Sequence, residues 1–103
     1  MRIAIERTPT ASGGDELRIT VTGTCDDTSL ERNTGEVSQE IRRGDIRRVV
    51  VDTSNLNFDA QNPQHRLSVT SVLYIAFMGA KRFQLVDSYA RKRILLDYLS
   101  MAT

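Results

Sequence analysis

Two residue types able to do covalent or proton-transfer chemistry occur once each in this chain of 103 residues, Cys25 and His65. A nucleophilic cysteine needs a lowered thiol pKa and a base beside it. Forty residues separate the two, and nothing in the sequence fixes their distance. Cys25 therefore reads as a small buried residue at a strand end. His65, in the first turn of a helix, reads as an exposed side chain. Asp26, Asp27, Asp52, Asp59 and Asp87 could together offer the oxygen ligands that a hard cation such as Mg²⁺ takes. Asp26, Asp27 and Asp87 are equally explained as helix starts, where a carboxylate meets the positive end of the dipole. "SYARKR" sets Arg91, Lys92 and Arg93 in the opening turns of a helix, against the dipole. That placement suits either an anion or acidic-partner site or a solvated face, and we read it as solvated. No metal and no cofactor is expected.

Composition narrows the classes further. Fourteen Lys and Arg against thirteen Asp and Glu leave a net charge of +1, unlike the one-sided excess of a nucleic-acid binder. Arg42-Arg43, Arg47-Arg48 and Lys81-Arg82 are separated along the chain. A lone cysteine permits no internal disulfide and fits a reducing cytoplasm. No window reaches the roughly 18 apolar residues of a membrane span. The alternating start "MRIAIERTPT" does not read as a signal peptide. The length suits one domain over residues 1–103.

The elements that would carry these residues follow from periodicity. Residues 2–8 alternate, as do residues 17–24, with a Pro- and Gly-containing turn between them, so they read as a hairpin. Leu30, Thr34, Val37 and Ile41 recur at helical spacing, with Thr28 and Glu31 at capping-box distance and Gly44 as a C-terminal cap. Val49, Val50 and Val51 read as a central strand buried on both faces. Asn62 and Pro63 read as the N-cap and first residue of a long helix. Along it Val69, Val72, Leu73, Ala76, Phe77 and Ala80 form the core stripe. Leu67, Tyr74 and Met78 form a second one. That second stripe is either covered by the last helix or offered to a homodimer or an apolar ligand. "RFQLVD" reads as a strand and Ser88 as the cap of a final helix. The order β-β-α-β-α-β-α predicts an α/β fold, a small mixed and mostly parallel four-stranded sheet with helices.

The run "VVVDTSNLNFDAQ" leading into a helix, with that element order, resembles the sulfate transporter and anti-sigma factor antagonist (STAS) superfamily. In that family an apolar strand ends in Asp or Asn, and a short apolar bridge leads to Asp-Ser-Ser-Gly at a helix start. Here "VVVD" matches the strand, Leu56 to Phe58 the bridge and Asp59 the Asp. The first serine of the motif is the phosphoacceptor in signalling members. Ala60 stands in its place, Gln61 in that of the second serine and Asn62 in that of the glycine. The chain thus resembles a divergent STAS-like group of bacterial proteins, similar in topology to lipid-binding Sec14 proteins, that lacks the serine.

The resemblance implies a cytoplasmic, non-enzymatic regulatory module. It would bind a protein partner through Asp52, Ser54, Asn57, Asp59, Ala60, Gln61 and Asn62, without the usual serine phosphoswitch. The alternative it implies is an apolar ligand or lipid held between helices.

Overall fold

The computed structural model describes residues 1–25 and 30–102. Alternation in the first two strands sorts their side chains by face. β1 (Arg2–Pro9) and β2 (Asp15–Thr24) pair antiparallel, with Ile3 opposite Val21 and Ile5 opposite Ile19. The turn between them places Gly13 and Gly14 at φ 92° and 76°, a region open to glycine and strained for other residues. The Thr10 hydroxyl closes it by donating to the Gly13 carbonyl at 2.7 Å.

β3 (Ile46–Asp52) runs parallel to β2. Its valines behave as their run implies. Val49 and Val51 enter the main core, while Val50 is buried on the opposite face, in register with Arg18 and Gln84. β4 (Leu56–Asn57) pairs parallel with the end of β2, Gly23 against Leu56 and Thr24 against Asn57. This fifth strand corrects the expected four. Two residues are too short for alternation to show, and the burial of Leu56 is what its presence achieves. β5 (Arg82–Val86) lies parallel to β3, so the main sheet has the order β1-β2-β3-β5.

α1 (Leu30–Arg42), α2 (Pro63–Met78) and α3 (Tyr89–Ala102) form one layer, with α2 in the middle. The expected cap of α1 at Thr28, with Asp26 and Asp27, lies outside the described residues. Gly44 does not take the left-handed conformation expected of a cap. Asn62 does cap α2: its Oδ1 accepts from the amides of Gln64 at 2.9 Å and His65 at 3.4 Å. Val37, Val69, Val72, Leu73, Ala76, Leu95 and Leu99 close over Leu17, Ile19, Val21, Val49, Val51 and Leu85 in one core. Each such Val, Leu or Ile side chain contributes about 1.5–3 kcal/mol on burial.

One expectation for α2 needs correction, and the second stripe, whose cover the sequence left open, is found uncovered. Phe77 is 41% exposed and stands edge-on to Phe83, with ring centroids 5.7 Å apart. Leu67, Tyr74 and Met78 remain 54%, 37% and 62% exposed. α3 sends Leu95 and Leu99 into the core beside α2 and leaves that stripe uncovered.

The residue that ends α2, Gly79, is needed for space. A Cβ there would lie 2.5 Å from Ile41 Cδ1 and 2.7 Å from its Cγ2. Gly79→Ala is expected to destabilise the fold by about 1–3 kcal/mol through overpacking. Thermal melting checks this, and Ile41→Val in the same chain should recover part of the loss.

Candidate functional site

The carboxyl ends of the parallel strands are where a sheet of this kind offers a site. Here β3 ends in Asp52, Asp87 directly follows β5, and the segment 53–62 runs across that rim into α2. Its backbone is held from below. Thr53 is fully buried; its amide donates to the Val86 carbonyl at 3.0 Å and its hydroxyl to Asp87 Oδ2 at 2.6 Å. Asp87 also accepts the Ser88 amide at 2.6 Å. Only 2% of its side chain is exposed, and Arg91 Nε stands 3.4 Å from it.

Arg91 is the keystone of this arrangement. Its Nη2 donates to the carbonyls of Thr53 at 3.1 Å and Leu56 at 2.6 Å, and its guanidinium sits 4.7 Å above the Phe58 ring. The sequence reading of Arg91 as part of a solvated face is therefore corrected. Its charge does oppose the dipole of α3, and Asp87 one turn earlier offsets it. Arg93 is exposed, as expected.

The far end of the segment is pinned as well. Asp59 Oδ1 accepts the Gln61 amide at 2.9 Å, and the Asp59 carbonyl accepts the Asn62 amide at 3.0 Å. The Asp59 amide donates to His65 Nδ1 at 2.9 Å. His65 is half-buried rather than exposed, because it serves as this anchor. Tyr98 reaches over from α3 to donate to the Ala60 carbonyl at 3.2 Å, and Arg66 covers the Tyr98 ring at 4.7 Å. Cys25 is buried as read, with its amide donating to the Asn57 carbonyl at 2.9 Å.

What remains on the outer side is polar. Ser54, Asn57, Asp59 and Gln61 are exposed, while Asp52, Ala60 and Asn62 are half-buried. The seven residues named from sequence thus lie on one rim, and Leu67, Tyr74 and Met78 lie on the outer side of α2, apart from it. Among the described residues no group of three His, Cys, Asp or Glu is placed to hold a metal ion. No helix among them is long and apolar enough to cross a membrane. The supporting roles of Thr53, Phe58, His65, Tyr98, Asp87 and Arg91 escaped the sequence reading. Only the Asp87–Arg91 spacing of four carried a usable signal.

Comparison with known proteins bears on this architecture. The solved structure of the anti-sigma factor antagonist SpoIIAA in its unphosphorylated form superposes with a TM-score of 0.54. The match covers 95% of this chain and 84% of that one at 17% sequence identity. The fold is STAS-like. No family model matches the sequence, and no curated protein matches it.

At the start of the STAS-like rim, Asp52 is held ionised. Its Oδ1 accepts from the Ser54 hydroxyl at 2.6 Å and the Ser54 amide at 3.0 Å, and Arg18 stands 3.2 Å from Oδ2. The Ser54 hydroxyl is the largest influence lowering its pKa below the ordinary 3.8; the Ser54 amide and Arg18 add to it, and desolvation opposes them. A carboxylate whose folded pKa is depressed stabilises the fold above its unfolded pKa. That stability is lost as pH falls through the folded value. Urea unfolding is therefore expected to show a loss of stability below about pH 4 that shrinks in Asp52→Asn and in Ser54→Ala.

Proposed function

We propose that the chain is a non-enzymatic regulatory module that binds a protein partner through the rim of residues 52–62, in the cytoplasm and without a serine phosphoswitch at position 60. One observation carries this reading: the segment is anchored from beneath by Arg91, Thr53, His65 and Tyr98, so Ser54, Asn57, Asp59 and Gln61 are presented on a fixed backbone. Preorganisation of this kind lowers the ordering cost that a recognition loop otherwise meets on binding. Loops set on a rigid scaffold are also where binding surfaces concentrate.

The fold shared with an anti-sigma factor antagonist supports the same class. The neighbour is described in its unphosphorylated form, which sets up the contrast at position 60. Ala60 offers no hydroxyl, and its carbonyl is occupied by Tyr98. Recognition here is therefore governed by the abundance or affinity of the partner. The ligand reading has weaker support. The hollow between α2 and α3 is a surface trough of about 310 Å³ lined partly by Arg66 and Thr70.

Affinity capture from the cells that make the protein tests the reading in two steps. The wild type should retain one protein at fixed stoichiometry, and Asn57→Arg with Gln61→Arg should release it while leaving the melting temperature unchanged. Peptide mass spectrometry of the same samples should find residues 53–71 unphosphorylated. Stoichiometric phosphate on the exposed Ser54 would restore a switch, and capture unaffected by the rim variants would refute the site.

A further inference from the structure

The outer side of α2 is unusual for a helix in contact with water. From Leu67 to Ala80 the sequence contains no Asp, Glu, Lys, Arg or His. An exposed helix face normally carries such residues. Leu67, Tyr74, Phe77 and Met78 are 54%, 37%, 41% and 62% exposed, and Met101 at the end of α3 is 76% exposed. Leu67, Thr70 and Ala102 line both of two neighbouring troughs, one reaching Met101 and Tyr98, the other Tyr74; Phe77 and Met78 follow Tyr74 at helical spacings of three and four. The open face of the sheet is different in kind. There Arg18 pairs with Asp52, and Arg48 with Glu16 and Gln84, so that face is satisfied by its own ion pairs.

We propose that this apolar face is where a second copy of the chain docks, α2 against α2 about a two-fold axis. The argument is one of area and charge. The five side chains keep on the order of 500–600 Å² exposed between them, the upper end of what a monomer leaves uncovered. A standard interface takes roughly 800 Å² from each partner, and in homodimers about two-thirds of it is apolar. The patch therefore matches the apolar part of one such half. A two-fold contact sets the patch against itself, so a patch carrying net charge would repel its own copy. This one has none between Leu67 and Ala80, and Arg66 at its margin is turned onto the Tyr98 ring, 4.7 Å from its centroid. The rim of residues 52–62 lies outside the patch, so a dimer leaves it free for a different partner.

Sedimentation velocity of the purified chain across concentration is the test. We expect a monomer–dimer equilibrium in the micromolar range, the dimer constant weakened on the order of tenfold or more by Tyr74→Glu and by Leu67→Glu. Circular dichroism melts show whether each variant remains folded. A third chain, Ser71→Cys, places a thiol in the middle of the face. It should form a disulfide-linked dimer under mild oxidation, and Glu36→Cys on α1 should not. A monomer up to about 1 mM would overturn the proposal. So would a dimer indifferent to both glutamates, equal cross-linking from positions 36 and 71, or a monomer that carries a lipid in native mass spectrometry.

Discussion

Arg91→Ala is expected to cost about 3 kcal/mol of folding stability, seen as a lower urea midpoint with an unchanged slope. The cause is what the substitution leaves behind. Asp87 keeps only 2% of its side chain exposed, and Arg91 is the cation beside it at 3.4 Å. Without the guanidinium, Asp87 retains the Thr53 hydroxyl and the Ser88 amide but no countercharge. The carbonyls of Thr53 and Leu56 lose the donor that now serves them both. A buried charge that loses its partner is the costly case, far more so than losing an exposed ion pair. Arg91→Lys should recover little, since one compact ammonium cannot reproduce the separate Nε and Nη2 donors that reach Asp87 and the two carbonyls, nor lie flat on Phe58. Adding Asp87→Asn to Arg91→Ala should recover part of the loss by removing the unpaired charge. A double-mutant cycle in urea reads the coupling directly.

Leu56→Ala is expected to destabilise the chain by about 2–4 kcal/mol and also to weaken partner binding. Leu56 is 1% exposed in a strand of only two residues, so its side chain and the pairing with Gly23 and Thr24 are what draw the middle of the rim down. Truncation leaves a cavity beneath the middle of the segment. Leu56→Met, which nearly conserves volume, should cost less than about 1.5 kcal/mol and leave binding intact. If Leu56→Ala lowered stability while affinity held, the rim would not depend on its anchor, and preorganisation would be the wrong account of recognition.

Much of the architecture was legible in the residues. Alternation gave the hairpin, the valine run gave the interior strand, and Asn62-Pro63 gave the start of α2 where the structure has it. The missed elements share a physical reason. β4 is too short to have a period, and the exposure of Phe77 depends on where α3 lies, which is a tertiary fact. The need for glycine at position 79 comes from the close approach of Ile41 on another helix, which no local pattern shows.

The site divided in the same way. The outward residues from Ser54 to Gln61 are contiguous in sequence, so one motif located them together. Their supports come from β5, α2 and α3, and only folding brings Asp87, His65, Arg91 and Tyr98 beneath them. Arg91 was misread because three consecutive basic residues suggest solvent. One of the three was instead spent inside the fold.

Photo-cross-linking in living cells tests the central claim most directly. A photoreactive residue is placed at Asn57 or Gln61 on the rim, at Glu36 on α1, or at Gln84 on the open sheet face. The account predicts one dominant adduct of the same mass from positions 57 and 61 and none of that mass from 36 and 84. Adducts of equal yield from all four positions, or from 36 and 84 alone, would contradict it.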